Sequence, residues 1–223
     1  MTEMSAKTRK TIQTQAENLS KKVEHFTKAE IECLIQHFNS LLADQVSRGK
    51  AAHGLDRGRF RGILQNVFGL TNAMMMDGVF RCFDKDGDGT VTVEEWIRGH
   101  AVFLRGTLDE RMKYCFQVYD LNDDKYISKE EIFHMLKQSF IKQPTEEDPD
   151  EGLKEVVEIT MKTMDHDHDS LLSFEDFKKS VQAENLLLEA FGTCLPDPMV
   201  ISQIIKCINL SFLSDVQADN VYF

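Results

Sequence analysis

Apolar residues recur in three stretches of the chain with the spacing of one face of an α-helix. Each stretch ends one residue before an aspartate, and its apolar positions lie one, four and eight residues upstream of that aspartate. They are Phe83, Phe80 and Met76; Tyr119, Phe116 and Met112; and Met164, Met161 and Val157. This periodicity predicts an amphipathic helix before each aspartate. A polar run follows each aspartate and ends at a large apolar residue: Trp96, Ile132 or Phe177.

The three polar runs place oxygen-bearing side chains at the spacing of a calcium loop. They read DKDGDGTVTVEE at 84–95, DLNDDKYISKEE at 120–131 and DHDHDSLLSFED at 165–176. Calcium takes six to eight oxygen ligands, and loop positions 1, 3, 5, 7, 9 and 12 surround one point. Position 7 contributes its carbonyl. The predicted ligands are Asp84, Asp86, Asp88, Thr90, Thr92 and Glu95; Asp120, Asn122, Asp124, Tyr126, Ser128 and Glu131; and Asp165, Asp167, Asp169, Leu171, Ser173 and Asp176.

The three loops differ in how well they fit calcium. Loop 84–95 is complete, with Gly89 at the position 6 bend. Loop 120–131 has Lys125 at that bend, where positive φ disfavours a residue other than glycine, so we expect weaker binding. Loop 165–176 has Ser170 at the bend and Asp176 at position 12. Because aspartate is shorter than glutamate, we expect magnesium to compete with calcium in this loop.

Further residues predict how neighbouring loops pair and where the exiting helices start. An aliphatic residue stands at position 8 of each loop (Val91, Ile127 and Leu172), which predicts short antiparallel bridges between neighbouring loops. Thr92 with Glu95, and Ser128 with Glu131, form the S/T-x-x-E pattern of a capping box, which predicts that the exiting helix starts there.

Each loop with its two flanking helices forms a helix–loop–helix unit, or hand, and such hands pair. Because three is an odd number, a fourth unit is expected upstream of Asp84. GLDRGRF at 54–60 resembles the second half of a loop, with Leu55 at position 8. The stretch between Phe38 and Phe60 is too long for a twelve-residue loop. Its carboxylates are Asp44 and Asp56, so we expect no divalent ion at 39–59.

The predicted fold is all-α, with two lobes built from four EF-hand helix–loop–helix units, the first of them degenerate. An N-terminal segment covers 1–26. The first lobe covers 27–105, with hands at 27–68 and 72–105. The second lobe covers 107–192, with hands at 107–142 and 152–185. A tail with an amphipathic helix covers 193–223.

Two segments allow more than one interpretation. The acidic link KQPTEEDPDEG at 142–152 is either a solvated loop or a docking site for a basic partner. The tail carries an apolar stripe with helical spacing. It either imitates a target helix on the protein's own chain or completes the core of the second lobe. The stripe consists of Ile201, Ile204, Ile205, Ile208 and Phe212.

Composition narrows the classes of partner. The formal net charge is −11, so the protein should repel nucleic acid and bare anionic membrane. No run approaches about 18 apolar residues, and Thr2 stands where N-myristoylation needs glycine. We therefore expect no nucleic acid, no membrane and no lipid anchor. The odd number of cysteines, without a C-x-x-C pair, indicates reduced thiols in the cytoplasm. The common catalytic motifs are missing from the sequence, so we expect no enzymatic activity.

The pseudo-hand followed by three loops resembles the neuronal calcium sensor branch of EF-hand proteins. Within it, the chain is similar to the EF-hand sensors of ciliary and flagellar axonemes. The segments that carry the resemblance are GLDRGRFRGIL (54–64), VFRCFDKDGDG (79–89), EEWIRGHAVFLRGTLDERMKYCFQVYDLN (94–122), ISKEEIFHMLK (127–137), KQPTEEDPDEG (142–152), MDHDHDS (164–170) and LLLEAFGTCLPDP (186–198).

The resemblance implies a calcium-responsive regulator of outer-arm dynein on axonemal doublet microtubules. The implied partners are dynein chains, the arm's docking complex and tubulin, in the cytoplasm and axoneme of cilia or flagella. Two alternatives stay open beside the sensor. One is a calcium buffer, and the other is a structural docking subunit whose metal sites stabilise its fold.

Overall fold

The computed structural model describes residues 6–47, 53–139 and 149–219. Ten α-helices lie in these ranges: α1 Ala6–Ser20, α2 Lys28–Ser47, α3 Arg57–Asn66, α4 Ala73–Phe83, α5 Val93–Arg105, α6 Leu108–Tyr119, α7 Lys129–Ser139, α8 Pro149–Met164, α9 Phe174–Ala183 and α10 Pro198–Asp219. Four short strands accompany them: β1 Leu55–Asp56, β2 Thr90–Val91, β3 Tyr126–Ser128 and β4 Leu171–Ser173. Among the described residues, no helix is long and apolar enough to span a bilayer.

Four helix–loop–helix units follow one another in the chain. They are α2–α3, α4–α5, α6–α7 and α8–α9, and each holds one short strand between its two helices. The three predicted amphipathic helices α4, α6 and α8 bury the apolar positions of their stripes, whose exposure runs from 0% at Met164 to 6% at Phe80. The predicted all-α fold of EF-hand units is therefore confirmed.

The loops pair through two antiparallel bridges, as the position 8 residues predicted. Leu55 lies opposite Val91 in one bridge, and Ile127 lies opposite Leu172 in the other. All four side chains are fully buried. Each bridge thus joins the loops of two consecutive hands and anchors them in a core.

Contacts divide the described chain into two compact units. The first contains Met1–Ile63, Phe83–Gly106 and Pro196–Phe223, and the second contains Leu64–Cys82 and Thr107–Leu195. The predicted lobes, 27–105 and 107–192, had placed residues 64–82 in the first lobe. In the structure α4 up to Cys82 belongs to the second unit, and it approaches α6 closely at Gly78, where the first carbon of a side chain would lie 2.7 Å from the Val118 carbonyl oxygen.

The first and last described helices, α1 and α10, belong to the first unit. Within 1–26, which had been predicted only as a segment, α1 packs on α2 and buries Ile12, Ala16 and Leu19. The tail helix α10 also contacts α2. Ile208 is 8% exposed, while the side chain of Phe212 lies outside the described residues.

The contacts of the tail helix α10 test one of the two interpretations of the tail. Completion of the second lobe's core is wrong, because α10 packs in the first unit. The chain turns at Leu195–Asp197, and the Asp197 carboxylate accepts a hydrogen bond from the Met199 amide at 2.7 Å as α10 begins. Imitation of a target helix stays a prediction. The acidic link lies outside the described residues up to Asp148, and α8 begins at Pro149.

A buried histidine lies in the core of the first unit behind loop 84–95. His100 on α5 is 4% exposed, and its Nδ1 lies 2.8 Å from the Trp96 carbonyl oxygen, to which it donates. The imidazole lies 4.1 Å from the Trp96 ring, centroid to centroid. Burial, with a smaller contribution from His37, lowers the pKa of His100 to about 4.

The first unit should therefore lose stability when pH falls from 6.5 toward 4. An unfolded histidine binds its proton near pH 6.5, whereas folded His100 binds it near pH 4. Between these values the unfolded chain binds more protons, so the free energy of unfolding falls by about 3 kcal/mol. Urea unfolding followed through Trp96, the single tryptophan, measures this loss in calcium-free buffer. His100→Phe should flatten the pH dependence, and equal slopes in the two proteins would contradict it.

Candidate metal centres

The backbone of the three loops repeats one hydrogen-bond pattern. The carboxylate at position 1 accepts a bond from the amide at position 6: Gly89 to Asp84 at 2.9 Å, Lys125 to Asp120 at 3.0 Å and Ser170 to Asp165 at 3.0 Å. The carboxylate at position 5 accepts from the amide at position 7: Thr90 to Asp88 at 2.7 Å, Tyr126 to Asp124 at 2.9 Å and Leu171 to Asp169 at 2.8 Å. All three loops thus share the register that the sequence predicts.

The bend at position 6 has positive φ in every loop. The angle is 84° at Gly89, 76° at Lys125 and 70° at Ser170. Only the first loop meets this requirement with glycine, as the sequence suggested. The Lys125 ammonium is not aimed into the loop, because it binds the carboxylate of Asp123, and this pairing raises the pKa of Lys125. The lysine therefore strains the bend more than it repels an ion.

Lys125→Gly should stabilise the second unit by about 1 kcal/mol, because glycine adopts positive φ without steric cost. Calcium affinity of loop 120–131 should rise only about twofold to threefold, since one partly neutralised charge is removed. Thermal unfolding and calorimetry measure the two effects. Ser170→Gly is the matched control, because it relieves the same bend without a change in charge. A loss of stability in both variants would show that the bend carries no strain.

Position 12 distinguishes the third loop from the other two. Glu95 reaches across its loop and accepts from the Lys85 amide at 2.8 Å, while its other oxygen accepts from the Thr92 amide at 2.9 Å. Glu131 does the same with Leu121 and Ser128, at 2.9 and 2.8 Å.

Asp176, the shorter residue, makes its described hydrogen bonds to Ser173 alone. Its carboxylate does not reach back to the start of loop 165–176, as Glu95 and Glu131 do in their loops.

In two of the loops, three of the predicted ligands lie close together. Carboxylate oxygens of Asp84, Asp86 and Asp88 lie within 4.8 Å of one another, and so do those of Asp165, Asp167 and Asp169. In loop 120–131 the residue at position 3 is the neutral Asn122, whose amide donates to Asp124 at 2.8 Å. Clustered carboxylate oxygens suit a hard cation, because they repel one another until such an ion binds between them. The residues present therefore fit calcium.

Residues at position 9 serve the helix as well as the loop. The hydroxyl groups of Thr92, Ser128 and Ser173 donate to the position 12 carboxylate at 2.7, 2.8 and 2.5 Å. This is the predicted capping box, and it also occurs in the fourth hand, at loop 165–176. Each box fixes the position 12 side chain at the start of the exiting helix.

Electrostatic surroundings differ among the position 1 aspartates. Burial raises the pKa of Asp84, with help from the nearby Glu95 carboxylate. Burial likewise raises the pKa of Asp120. At Asp165 burial acts in the same direction, but hydrogen bonds from the Ser170 and His168 amides lower the pKa below its ordinary value. The third loop thus holds its first carboxylate ionised most strongly.

Histidines at positions 2 and 4 of the third loop lie off the predicted ligand set. His166 places Nε2 3.1 Å from the Ser180 hydroxyl oxygen on α9. His168 occupies a positive-φ position, at 61°. Neither belongs to the cluster of Asp165, Asp167 and Asp169.

The degenerate hand uses the two carboxylates of its stretch 39–59 for structure. Asp44 forms an ion pair with Arg59 at 2.6 Å, and Asp56 accepts the Arg59 amide at 2.8 Å at the start of α3. Both are thus engaged outside any loop centre, which favours the prediction that 39–59 binds no divalent ion. Residues 48–52 of this stretch lie outside the described ranges.

Arg81 is a functional candidate that the sequence patterns missed. Its guanidinium donates to the carbonyl oxygens of Asp120 at 3.2 Å and Leu121 at 2.8 Å. It therefore lies over the start of loop 120–131, where α6 ends. Nothing in the local pattern of α4 signals this contact, because its partners lie far along the sequence.

Comparisons with known proteins agree with this geometry. A model of the EF-hand domain pair matches residues 109–182, and an EF-hand model matches residues 75–100. Calaxin of Danio rerio is 61% identical over 189 residues, which are 85% of this chain and 90% of the relative. Calaxin of Homo sapiens is 59% identical over 190 residues, again 85% and 90% of the two chains. The chain belongs to the calaxin family.

This membership confirms the resemblance to a family of EF-hand calcium sensors. A more distant relative, a calcineurin subunit of Schizosaccharomyces pombe, is 30% identical over 162 residues, or 72% of this chain and 85% of the relative. Family and geometry together identify the chain as an EF-hand calcium sensor.

Proposed function

We propose that this calcium sensor regulates outer-arm dynein on the doublet microtubules of cilia or flagella. Membership of the calaxin family supports the axonemal setting. The observation that carries the sensor function is the shared loop geometry, in which each position 1 carboxylate is held by the position 6 amide. The proposed partners are outer-arm dynein chains, the docking complex and tubulin.

Calcium binding in the loops changes the protein surface through the exiting helices. When bound, calcium supplies two positive charges to each loop, and three ions change the formal net charge from −11 to about −5. Glu95 and Glu131 stand on the first turn of their exiting helices, so a shift of either carboxylate moves a helix. Reoriented helices expose apolar side chains that suit an amphipathic partner helix.

Unequal loops favour a sensor over a buffer. A buffer gains from having every loop competent, whereas the stretch 39–59 of the first hand has both of its carboxylates engaged elsewhere. The third loop also differs at position 12, where Asp176 stays with Ser173. Loops 84–95 and 120–131 therefore carry most of the calcium signal, and loop 165–176 holds magnesium in the resting cell.

Asp176→Glu should tighten calcium binding at one site and weaken magnesium's competition there. Glutamate restores the length with which Glu95 and Glu131 reach across their loops. Both carboxylate oxygens then suit the larger calcium shell, while magnesium prefers a compact six-ligand shell. Calorimetry with and without millimolar magnesium measures the change.

Glu95→Asp is the matched control for Asp176→Glu, since it makes the reverse substitution in a loop with an otherwise complete ligand set. It should weaken calcium binding there and admit magnesium. An unchanged calcium isotherm for Asp176→Glu would show that position 12 of loop 165–176 is not a ligand.

Partner binding is tested on outer-arm dynein in axoneme extract. The full chain, immobilised, should retain dynein from axoneme extract in calcium and release it in chelator. A triple variant, Glu95→Gln, Glu131→Gln and Asp176→Asn, should retain little in either buffer. It keeps an amide where each capping box needs an acceptor, so its helices still start correctly.

The contrary outcomes are equally definite. Equal retention of dynein in calcium and in chelator would show that binding is not switched by calcium. The protein would then be a docking subunit whose metal sites stabilise its fold. No retention of dynein in either buffer would refute the proposed partner, while calcium binding by the loops could still be measured separately.

A further inference from the structure

A buried amide organises the degenerate hand. Gln45, near the end of α2, is 4% exposed. Its Nε2 donates to the Gly54 carbonyl oxygen at 3.0 Å, and its Oε1 accepts from the Asp56 amide at 3.1 Å. One side chain thus binds the backbone on both sides of Leu55. Because a buried polar group is costly to leave unpaired, these two bonds hold β1 at a fixed distance from α2.

The strand that Gln45 holds is the partner of the first calcium loop. In the bridge, Asp56 lies opposite Thr90 and Leu55 lies opposite Val91. The approach is close at Gly54, where a side chain would put its first carbon 2.7 Å from the Val91 carbonyl oxygen and 2.8 Å from the Thr90 hydroxyl oxygen. Thr90 occupies position 7 of loop 84–95. A displacement of β1 would therefore move Thr90, one of the predicted ligands.

In the degenerate hand, Gln45 does for the backbone what the loop carboxylates do in the other hands. In loops 84–95, 120–131 and 165–176, carboxylates at positions 1 and 5 gather the loop amides. The degenerate hand has no such set among its described residues, since Asp44 pairs with Arg59 and Asp56 caps α3. Gln45 is the described side chain that binds both flanks of its bridge strand.

The geometry points to Gln45 as a positioning residue for calcium at loop 84–95: from a hand that binds no ion, it fixes β1 and so the position 7 end of the neighbouring loop. This inference rests on the proposed calcium binding at 84–95. Glutamine suits the role because it combines one donor with one acceptor. Glutamate could accept from Asp56 but would place a carboxylate oxygen against the Gly54 carbonyl.

Two variants test the role. Gln45→Ala removes both hydrogen bonds, and Gln45→Glu keeps the acceptor while introducing repulsion at Gly54. Calcium titration of the full chain, followed through Trp96 directly after the loop, should show about tenfold weaker binding in either variant. Calorimetry should show the loops 120–131 and 165–176 unchanged. In calcium-free protein, hydrogen exchange of amides in 55–56 and 90–91 should accelerate at least about tenfold.

Leu34→Ala is the matched control. Leu34 is 3% exposed and lies on the same helix about 16 Å from Gln45 along the axis, so its truncation lowers folding stability at a distance from the residue that holds the bridge. It should leave calcium affinity at 84–95 and exchange of the bridge amides unchanged below the unfolding transition. If Gln45→Ala behaves like Leu34→Ala in both measurements, Gln45 merely contributes stability and the inference is overturned.

Failure of the proposed function gives a different result. In that case the unaltered chain shows no Trp96 response to calcium. The exchange measurement needs no calcium, so it still decides whether Gln45 fixes the bridge.

Discussion

Glu95→Gln is expected to weaken calcium binding at loop 84–95 by about 30- to 1000-fold. The Glu95 carboxylate joins both ends of its loop, through the Lys85 amide at 2.8 Å and the Thr92 amide at 2.9 Å. Glutamine removes the charge and one acceptor oxygen at position 12, a loss of about 2 to 4 kcal/mol. Because glutamine also satisfies a capping box, α5 should start at the same residue. Titration against a competing chelator, followed through Trp96, measures the affinity.

Glu94→Gln is the control for this substitution. It makes the same change in charge one residue earlier, where the carboxylate pairs with Arg98 at 2.8 Å and Lys22 at 3.3 Å on the surface. Its effect on calcium affinity should stay within about threefold, because exposed charges are strongly screened. Similar losses in both variants would show that general electrostatics, rather than ligation by Glu95, governs this loop.

Gly99→Ala should destabilise the first unit by about 2 to 3 kcal/mol, although alanine favours helices by about 1 kcal/mol over glycine. A side chain at residue 99 of α5 would put its first carbon 2.3 Å from a ring carbon of Phe83. Phe83 is 1% exposed, and neighbouring aromatic rings, Phe60 at 4.9 Å and Phe103 at 5.8 Å, restrict its movement. Urea unfolding followed through Trp96 measures the loss.

Gly62→Ala provides the comparison within the same unit. Gly62 lies in α3, and a side chain there would meet no atom within 4 Å. This variant should therefore gain about 0.5 to 1 kcal/mol from helix propensity alone. A loss of equal size in both variants would contradict the close packing of α5 on Phe83.

Local patterns predicted the loops well because calcium chemistry fixes both residue type and spacing. The register that puts Asp84 and Glu95 at the two ends of a loop needs no knowledge of distant contacts. The bridges also followed from single positions, since Leu55 and Val91 each occupy position 8. The backbone bend was predicted as well, with positive φ at Lys125 in spite of its side chain.

Long-range contacts explain what the sequence did not predict. The spacing of Ile12, Ala16 and Leu19 is helical and could have indicated α1. By contrast, no local signal places Arg81 over the start of loop 120–131 or α10 on α2, because their partners are remote in the chain. The role of Gln45 is hidden for the same reason.

The most direct test of the sensor function is the fluorescence of a hydrophobic dye during a calcium titration of the full chain. A sensor should bind the dye as calcium fills the loops, and the Glu95→Gln, Glu131→Gln double variant should bind much less over the same range. Dye fluorescence that stays flat while calorimetry records calcium binding would contradict a sensor and identify a buffer.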